Sequence, residues 1–149
     1  MKLNALRAWI AVLSLLILPG AFAAEFGTRE EARAMFDRVV AAVKADPAAA
    51  LAKFNAGEDG FRDRDLYPFC VGPDGMMSAH PDLLGKAADQ IKDVDGKMVV
   101  EEMIKVAQEG KVAEVEYKWP QPGSTEPLPK VSFVTKINDQ VCGVGYYRQ

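Results

Sequence analysis

The sequence has one histidine, His80, and two cysteines, Cys70 and Cys142, among its 149 residues. That scarcity removes most catalytic chemistry. A Ser-His-Asp site would have to use His80, and no G-x-S-x-G elbow accompanies it. A zinc site needs three or four nitrogen or sulfur ligands, which one histidine and two cysteines hardly supply. There is no C-x-x-C-H for covalent haem, and no G-x-x-x-x-G-K or G-x-G-x-x-G loop to cradle phosphate. A Cys70–His80 pair stays arithmetically possible, but a disulfide would consume the thiol. The nearest thing to a cation loop is Asp93, Asp95, Gly96 and Glu102, which fit positions 3, 5, 6 and 12 of an EF-hand. Position 1 would be Ile91, which offers no ligand oxygen, so Asp93 and Asp95 read as turn and helix-capping residues. No metal, no cofactor and no enzymatic activity are expected.

Long apolar runs are also lacking. The longest, Ala8 to Leu18, has 11 residues and is broken by Ser14, whereas a membrane helix needs roughly 20. Lys2 and Arg7 flank it, and Pro19-Gly20 and the small-x-small triplet Ala21-Phe22-Ala23 follow. This is the pattern of a secretory signal peptide over residues 1–23; the alternative is an uncleaved anchor. Cleavage after Ala23 would leave 126 residues, a single domain over 24–149 without a membrane span, in the periplasm or secreted. Excess positive charge is missing too. The net charge of −3 becomes about −5 once Lys2 and Arg7 leave. That excludes nucleic acid and an anionic membrane surface as partners, since both need a basic face. In an oxidising compartment two cysteines form either a disulfide or, less often, a pair of buried thiols.

What is present reads as helices first and strands later. Thr28 and Glu31 make a capping box. Ala32, Met35, Phe36, Val39, Val40 and Val43 then form one apolar stripe on a helix of about 18 residues. Asp46-Pro47 starts a second helix with Ala50, Leu51 and Phe54 on its core side, and Gly57 stops it. Asp65 to Val71 reads as a strand, Pro73-Asp74-Gly75 as a turn and Met76 to His80 as the returning strand. Pro81 to Val94 is irregular, anchored by Leu83, Leu84 and Ile91. Asp95-Gly96 opens a helix with Val99, Val100, Met103, Ile104 and Ala107 on its apolar face, ended by Gly110. Val112 to Trp119 alternates, with Ala113, Val115, Tyr117 and Trp119 on one side. Pro120 to Pro129, with four prolines and a glycine, reads as a loop. Lys130 to Ile137, the turn Asn138-Asp139, and Val141 to Tyr147 complete a meander. Clustered strands mean an α+β class with an antiparallel sheet.

Several segments together resemble the single Cache domain, a PAS-like extracytoplasmic sensor module of bacterial chemoreceptors and histidine kinases. They are the hairpin Leu66–Val71 with Gly75 and Ala79-His80-Pro81, the turn Leu84-Gly85-Lys86, Asp93–Lys97, Glu116-Tyr117-Lys118-Trp119-Pro120, Pro129–Val134, and Gly143-Val144-Gly145-Tyr146-Tyr147. The resemblance covers roughly Thr28 to Arg148. It implies a five-stranded antiparallel sheet, a long N-terminal helix on one face, and a helical segment from Pro81 to Gly110 covering a small pocket on the other. It also makes the first and last strands neighbours, which brings Cys70 and Cys142 within bonding range.

The resemblance implies a small organic acid or amino acid as ligand, with a membrane receptor or histidine kinase as signalling partner. Members usually carry a second membrane helix and an output domain, whereas this sequence stops at Gln149. A second reading is therefore an accessory subunit that docks on such a receptor or kinase without a small-molecule ligand. For the pocket, Tyr117 and Trp119 share a strand face, as wall or as plain core. Lys130 is either a solvated strand end or the cation for a carboxylate. His80 is either a turn residue or a hydrogen-bonder, and Tyr67 and Met103 are further wall candidates.

Overall fold

The computed structural model describes residues 25–148. The expected signal peptide lies outside them. Among the described residues no helix is long and apolar enough to cross a membrane.

Helix α1 spans Arg29–Ala45 and begins with the capping box: the Thr28 side chain accepts from the Glu31 amide, and the Glu31 carboxylate accepts from the Thr28 amide. Its buried stripe is Ala32, Met35, Phe36, Val39 and Val43. Helix α2, Pro47–Ala56, is capped by Asp46, whose carboxylate accepts from Ala49. It stops at Gly57, whose φ of 69° suits a glycine.

Strands β1 (Pro68–Val71) and β2 (Met77–Ala79) form a hairpin, and β3 (Ala113–Pro120), β4 (Pro127–Ile137) and β5 (Gln140–Tyr147) form a meander. All pairings are antiparallel and the order is β2-β1-β5-β4-β3. β1 is thus the sole link in the sheet between hairpin and meander. Cys70 faces Cys142 across the β1–β5 pair, and the two form a disulfide with Cα atoms 4.1 Å apart. Directly opposed residues approach this closely at non-hydrogen-bonded positions of an antiparallel ladder.

The two sheet faces carry separate cores. α1 and α2 pack on one, with Phe133, Ile137, Val144, Cys70 and Cys142. The other is covered by the segment between β2 and β3, which contains a 3₁₀ turn at Ala88–Gln90 and helix α3, Val99–Val106. There Ile91, Val99, Val100 and Met103 meet Phe69, Met77, Val115 and Val134. The same segment shields both sheet edges. The Met77 amide donates to the Lys86 carbonyl and the Gly85 amide to the Met77 carbonyl, closing β2. On β3, Asp93 accepts from the Lys118 amide and the Lys97 ammonium donates to the Glu116 carbonyl. Exposed edges template unwanted pairing, and these bonds occupy them.

Four sequence expectations are corrected. The first strand begins at Pro68 rather than Asp65, because Asp63 and Leu66 close a turn on each other and Asp65 is buried as an acceptor for the Gly27 amide. Asp95 does not open a helix. Asp93 instead binds the Asp95 and Lys97 amides in a turn, and α3 starts after Met98 without a side-chain cap. Leu84 and Ile104 are 58% and 40% exposed rather than anchoring the cover. The proline-rich stretch keeps a loop over residues 121–126, but its two ends belong to strands, with Pro120 opposite Pro127 and Pro129 opposite Lys118. These prolines sit where an amide would point away from the partner strand, since the neighbouring Lys118 amide points outward to Asp93. On the other side β5 pairs with β4 as far as Lys130 and adds one bond beyond it, from the Arg148 amide to the Pro129 carbonyl at 2.9 Å, so the prolines leave at most the return bond of that last pair unmade.

Gly143 lies on the cavity face of β5, between Phe69 and Val134. A Cβ there would stand 2.5 Å from the Phe133 carbonyl oxygen and closer still to the Phe69 ring. Backbone cannot yield as a flexible side chain can. Gly143→Ala is therefore expected to cost about 1–3 kcal/mol of stability, read as a lower urea midpoint. A midpoint equal to that of the parent would show that the sheet relaxes around the methyl group.

Candidate functional site

Strand parity places the site. Tyr117 pairs with Lys130, and Lys130 pairs with Tyr147. These three side chains therefore share the face under the cover. Phe69 on β1 shares that face, and with Tyr67 and Met77 it joins His80, Leu83, Ile91, Val99, Val100, Met103, Tyr117 and Trp119 around a cavity of about 20 Å³. That volume is close to what one water requires. Of the residues expected from sequence, Tyr67, His80, Met103, Tyr117 and Trp119 meet at this cavity. Lys130 lies beside it, behind Tyr67, rather than on its apolar wall.

Lys130 is 2% exposed. Its ammonium donates to the Tyr67 hydroxyl at 2.8 Å. It also stands 4.2 and 4.7 Å from the centroids of the Tyr67 and Tyr147 rings, within cation–π range. The Tyr147 hydroxyl donates to the Pro120 carbonyl at 2.7 Å. Room for the lysine comes from Gly145 on β5, where a Cβ would stand 2.5 Å from Lys130 Cε. Burial pushes the Lys130 ammonium down to about 7, opposed only by the charge of Asp65. Among the described residues Lys130 makes no ion pair. Asp65 is already committed to the Gly27 amide and the Gln121 side chain.

His80 follows β2. Its Nδ1 accepts from the Asp82 and Leu83 amides at 3.0 and 3.2 Å, so the neutral ring carries its proton on Nε2. Its backbone amide donates to Asn55, which ties the end of β2 to α2. Burial first, then the charges of Lys130 and Arg62, depress the imidazole to about 3, and His80 is neutral at ordinary pH. His80 is therefore both a turn residue and part of the wall. Tyr117 bonds Ser132 at 2.9 Å and meets Trp119 edge-on, ring centroids 6.1 Å apart. The Tyr117 ring is partly exposed but its hydroxyl is interior, and burial raises its pKa.

Sequence reasoning missed Tyr147, Ser132 and Gly145. The signal was present in the alternation Gly143, Gly145, Tyr147, which puts two glycines and a tyrosine on the face where Lys130 points. It also missed Phe69, Met77, Val99 and Val100, which look like any core residue until the cover is placed.

The order β2-β1-β5-β4-β3, with a long helix on one face and a covered cavity on the other, defines a PAS-like α+β sensor domain. A family model described as Single Cache domain 2 matches residues 23–148, and the chain belongs to that family. Cache domains of this kind are extracytoplasmic sensor domains. Over 77 residues the chain is 35% identical to the methyl-accepting chemotaxis protein McpP of Pseudomonas putida, covering 52% of this chain and 13% of that protein. It thus matches a small part of a much longer receptor. A solved periplasmic sensor domain of a chemotaxis protein is 28% identical with a TM-score of 0.60, covering 80% of this chain and 90% of the other. A methyl-accepting chemotaxis protein from Vibrio parahaemolyticus is 25% identical with a TM-score of 0.64, covering 79% and 86%. A Cache chemosensory domain solved for its carboxylic acid recognition is 24% identical with a TM-score of 0.59, covering 80% and 88%. That last likeness is one of fold.

Proposed function

We propose that this domain is an exported, non-catalytic sensor module that binds a small carboxylate beside Lys130 and passes the signal on through a membrane receptor or histidine kinase. The observation that carries this reading is the lysine itself. It is a buried cation whose one hydrogen-bond partner among the described residues is a neutral hydroxyl. Burying an unpaired charge costs several kcal/mol, and a carboxylate with an apolar tail would match both the ammonium and the aromatic walls. An amino acid fits less well. None of the residues around the cavity is acidic, so an α-ammonium would find no counter-charge there. The cavity as it stands has room for about one water, so a carboxylate of even a few carbon atoms enters only with an outward movement of the surrounding side chains, and larger acids are disfavoured.

The test is a thermal-shift panel of acetate, propionate, lactate, succinate, glycine and alanine on the purified protein. A ligand that binds only the native state stabilises it by about 2.7 kcal/mol at a hundredfold excess over Kd. The unsubstituted monocarboxylates should raise Tm and glycine should not. If no acid or amino acid shifts Tm, the accessory-subunit reading replaces this one.

A further inference from the structure

A second concavity lies on the outer side of Tyr67. It measures about 170 Å³ and is bordered by Arg62, Arg64, Tyr67, Pro81, Asp82 and Gly123. Its relation to the inner cavity is visible in one stretch of chain. His80 and Leu83 line the inner cavity, while Pro81 and Asp82, between them in sequence, line the outer cleft. Tyr67 lines both. A single layer of side chains therefore separates the cleft from the cavity.

The cleft is cationic in a chain that is acidic as a whole. Arg64 is committed to Asp63 and Glu31. Arg62 is exposed and makes no hydrogen bond or ion pair among the described residues. Its side chain runs along Gly57, where a Cβ would stand 3.2 Å from Arg62 Cβ and 3.3 Å from its Nε. The helix-ending glycine thus also gives Arg62 its place. His80 feels the charges of both Arg62 and Lys130, which puts it between an outer and an inner cation. The roof is pinned, because Gln121 bonds Asp65 and the Pro120 carbonyl accepts from Tyr147.

We infer that this cleft is the port by which an anion reaches the cavity, with Arg62 as its outer capture site and the Tyr67 ring as the door. The inference rests on the carboxylate reading above. Positive charge at the mouth of a low-dielectric passage raises the local anion concentration and the association rate. A charge that acts on the passage rather than on the bound state changes both rates together and leaves Kd nearly unchanged. Asp82 is the one carboxylate at the mouth, so its removal should act in the opposite direction.

The experiment is stopped-flow mixing with the tightest-binding acid of the panel, followed by the fluorescence of Trp119 on the cavity wall. Arg62→Ala should slow association about three- to tenfold and Arg62→Glu more, with dissociation slowed in parallel and Kd within about twofold. Asp82→Asn should speed both. Lys44→Ala, an equal charge change on the far side of α1, should leave the rates as in the parent. Two results would overturn the port while leaving the binding site standing. One is rates in Arg62→Ala and Arg62→Glu equal to the parent's. The other is a weaker Kd with unchanged association, which would make Arg62 a ligand contact. If the parent binds no acid of the panel, the carboxylate reading falls and the port falls with it.

Discussion

Replacing Cys70 and Cys142 together by alanine is expected to lower the free energy of unfolding by about 4 kcal/mol. The bridge closes a loop of 72 residues, and in the chain-entropy model a loop of that size restricts the unfolded chain by about that amount. For a domain of this length the loss corresponds to a fall in Tm of about 10–20 °C. The location adds a structural consequence. β1 has four residues and alone joins the hairpin to the meander. The hairpin side supplies Tyr67, Phe69, Met77 and His80 to the cavity. Without the bridge the hairpin should open below the global unfolding limit, and amides of β1 and β2 should exchange faster than those of β4 and β5. Urea titration and hydrogen exchange of the double-alanine variant check both points. A loss under about 1 kcal/mol would show that β1–β5 pairing already holds the hairpin.

Lys130→Ala should weaken binding of the best carboxylate by about ten- to hundredfold, the loss expected for one charge-assisted hydrogen bond. Lys136→Ala should change it by less than about twofold. Lys136 is an exposed residue of the same strand and parity, so it controls for net charge. Lys130→Met keeps the volume and serves if the alanine variant packs poorly. Calorimetric titration of the variants decides the matter, and equal losses for Lys130 and Lys136 would leave only long-range charge.

The same lysine predicts a pH dependence. Its folded pKa of about 7 lies below the unfolded value of 10.5, with burial as the cause. Between these values the unfolded chain binds more protons, so stability without ligand should rise with pH from about 7 towards 10, by on the order of 1 kcal/mol per unit. Above 10 the trend should reverse. Tyr67, Tyr117 and Tyr147 have raised pKa values, burial being the largest cause for each, and the unfolded chain then loses their protons first. Lys130→Met should flatten the rise. A bound carboxylate favours the ammonium, so affinity should fall as pH rises above 7, with proton uptake visible by calorimetry in two buffers.

Local pattern alone determined much of this molecule. The Thr28–Glu31 box and the spacing from Ala32 to Val43 specify α1, because capping and a 3.6-residue stripe are properties of one segment. The alternation of Val115, Tyr117 and Trp119 likewise specifies which side of β3 faces inward. Together with the Cache resemblance this was enough for the fold class and the cysteine pair, and for five of the side chains that line the cavity, Tyr67, His80, Met103, Tyr117 and Trp119. The fate of Lys130 was not decided locally. As a strand residue it could be solvated or buried. It is buried because Gly145, Tyr67 and Tyr147, up to 63 residues away, clear its space and receive its ammonium. Asp93 is similar: its sequence suggests a turn, yet its third bond goes to Lys118 on an edge strand 25 residues on. Ile104 and Leu84 show the reverse case, apolar residues whose segments suggest burial but which stay largely open to solvent. Burial and charge environment are sums over contacts distant in sequence, and only the tertiary structure brings those contacts together.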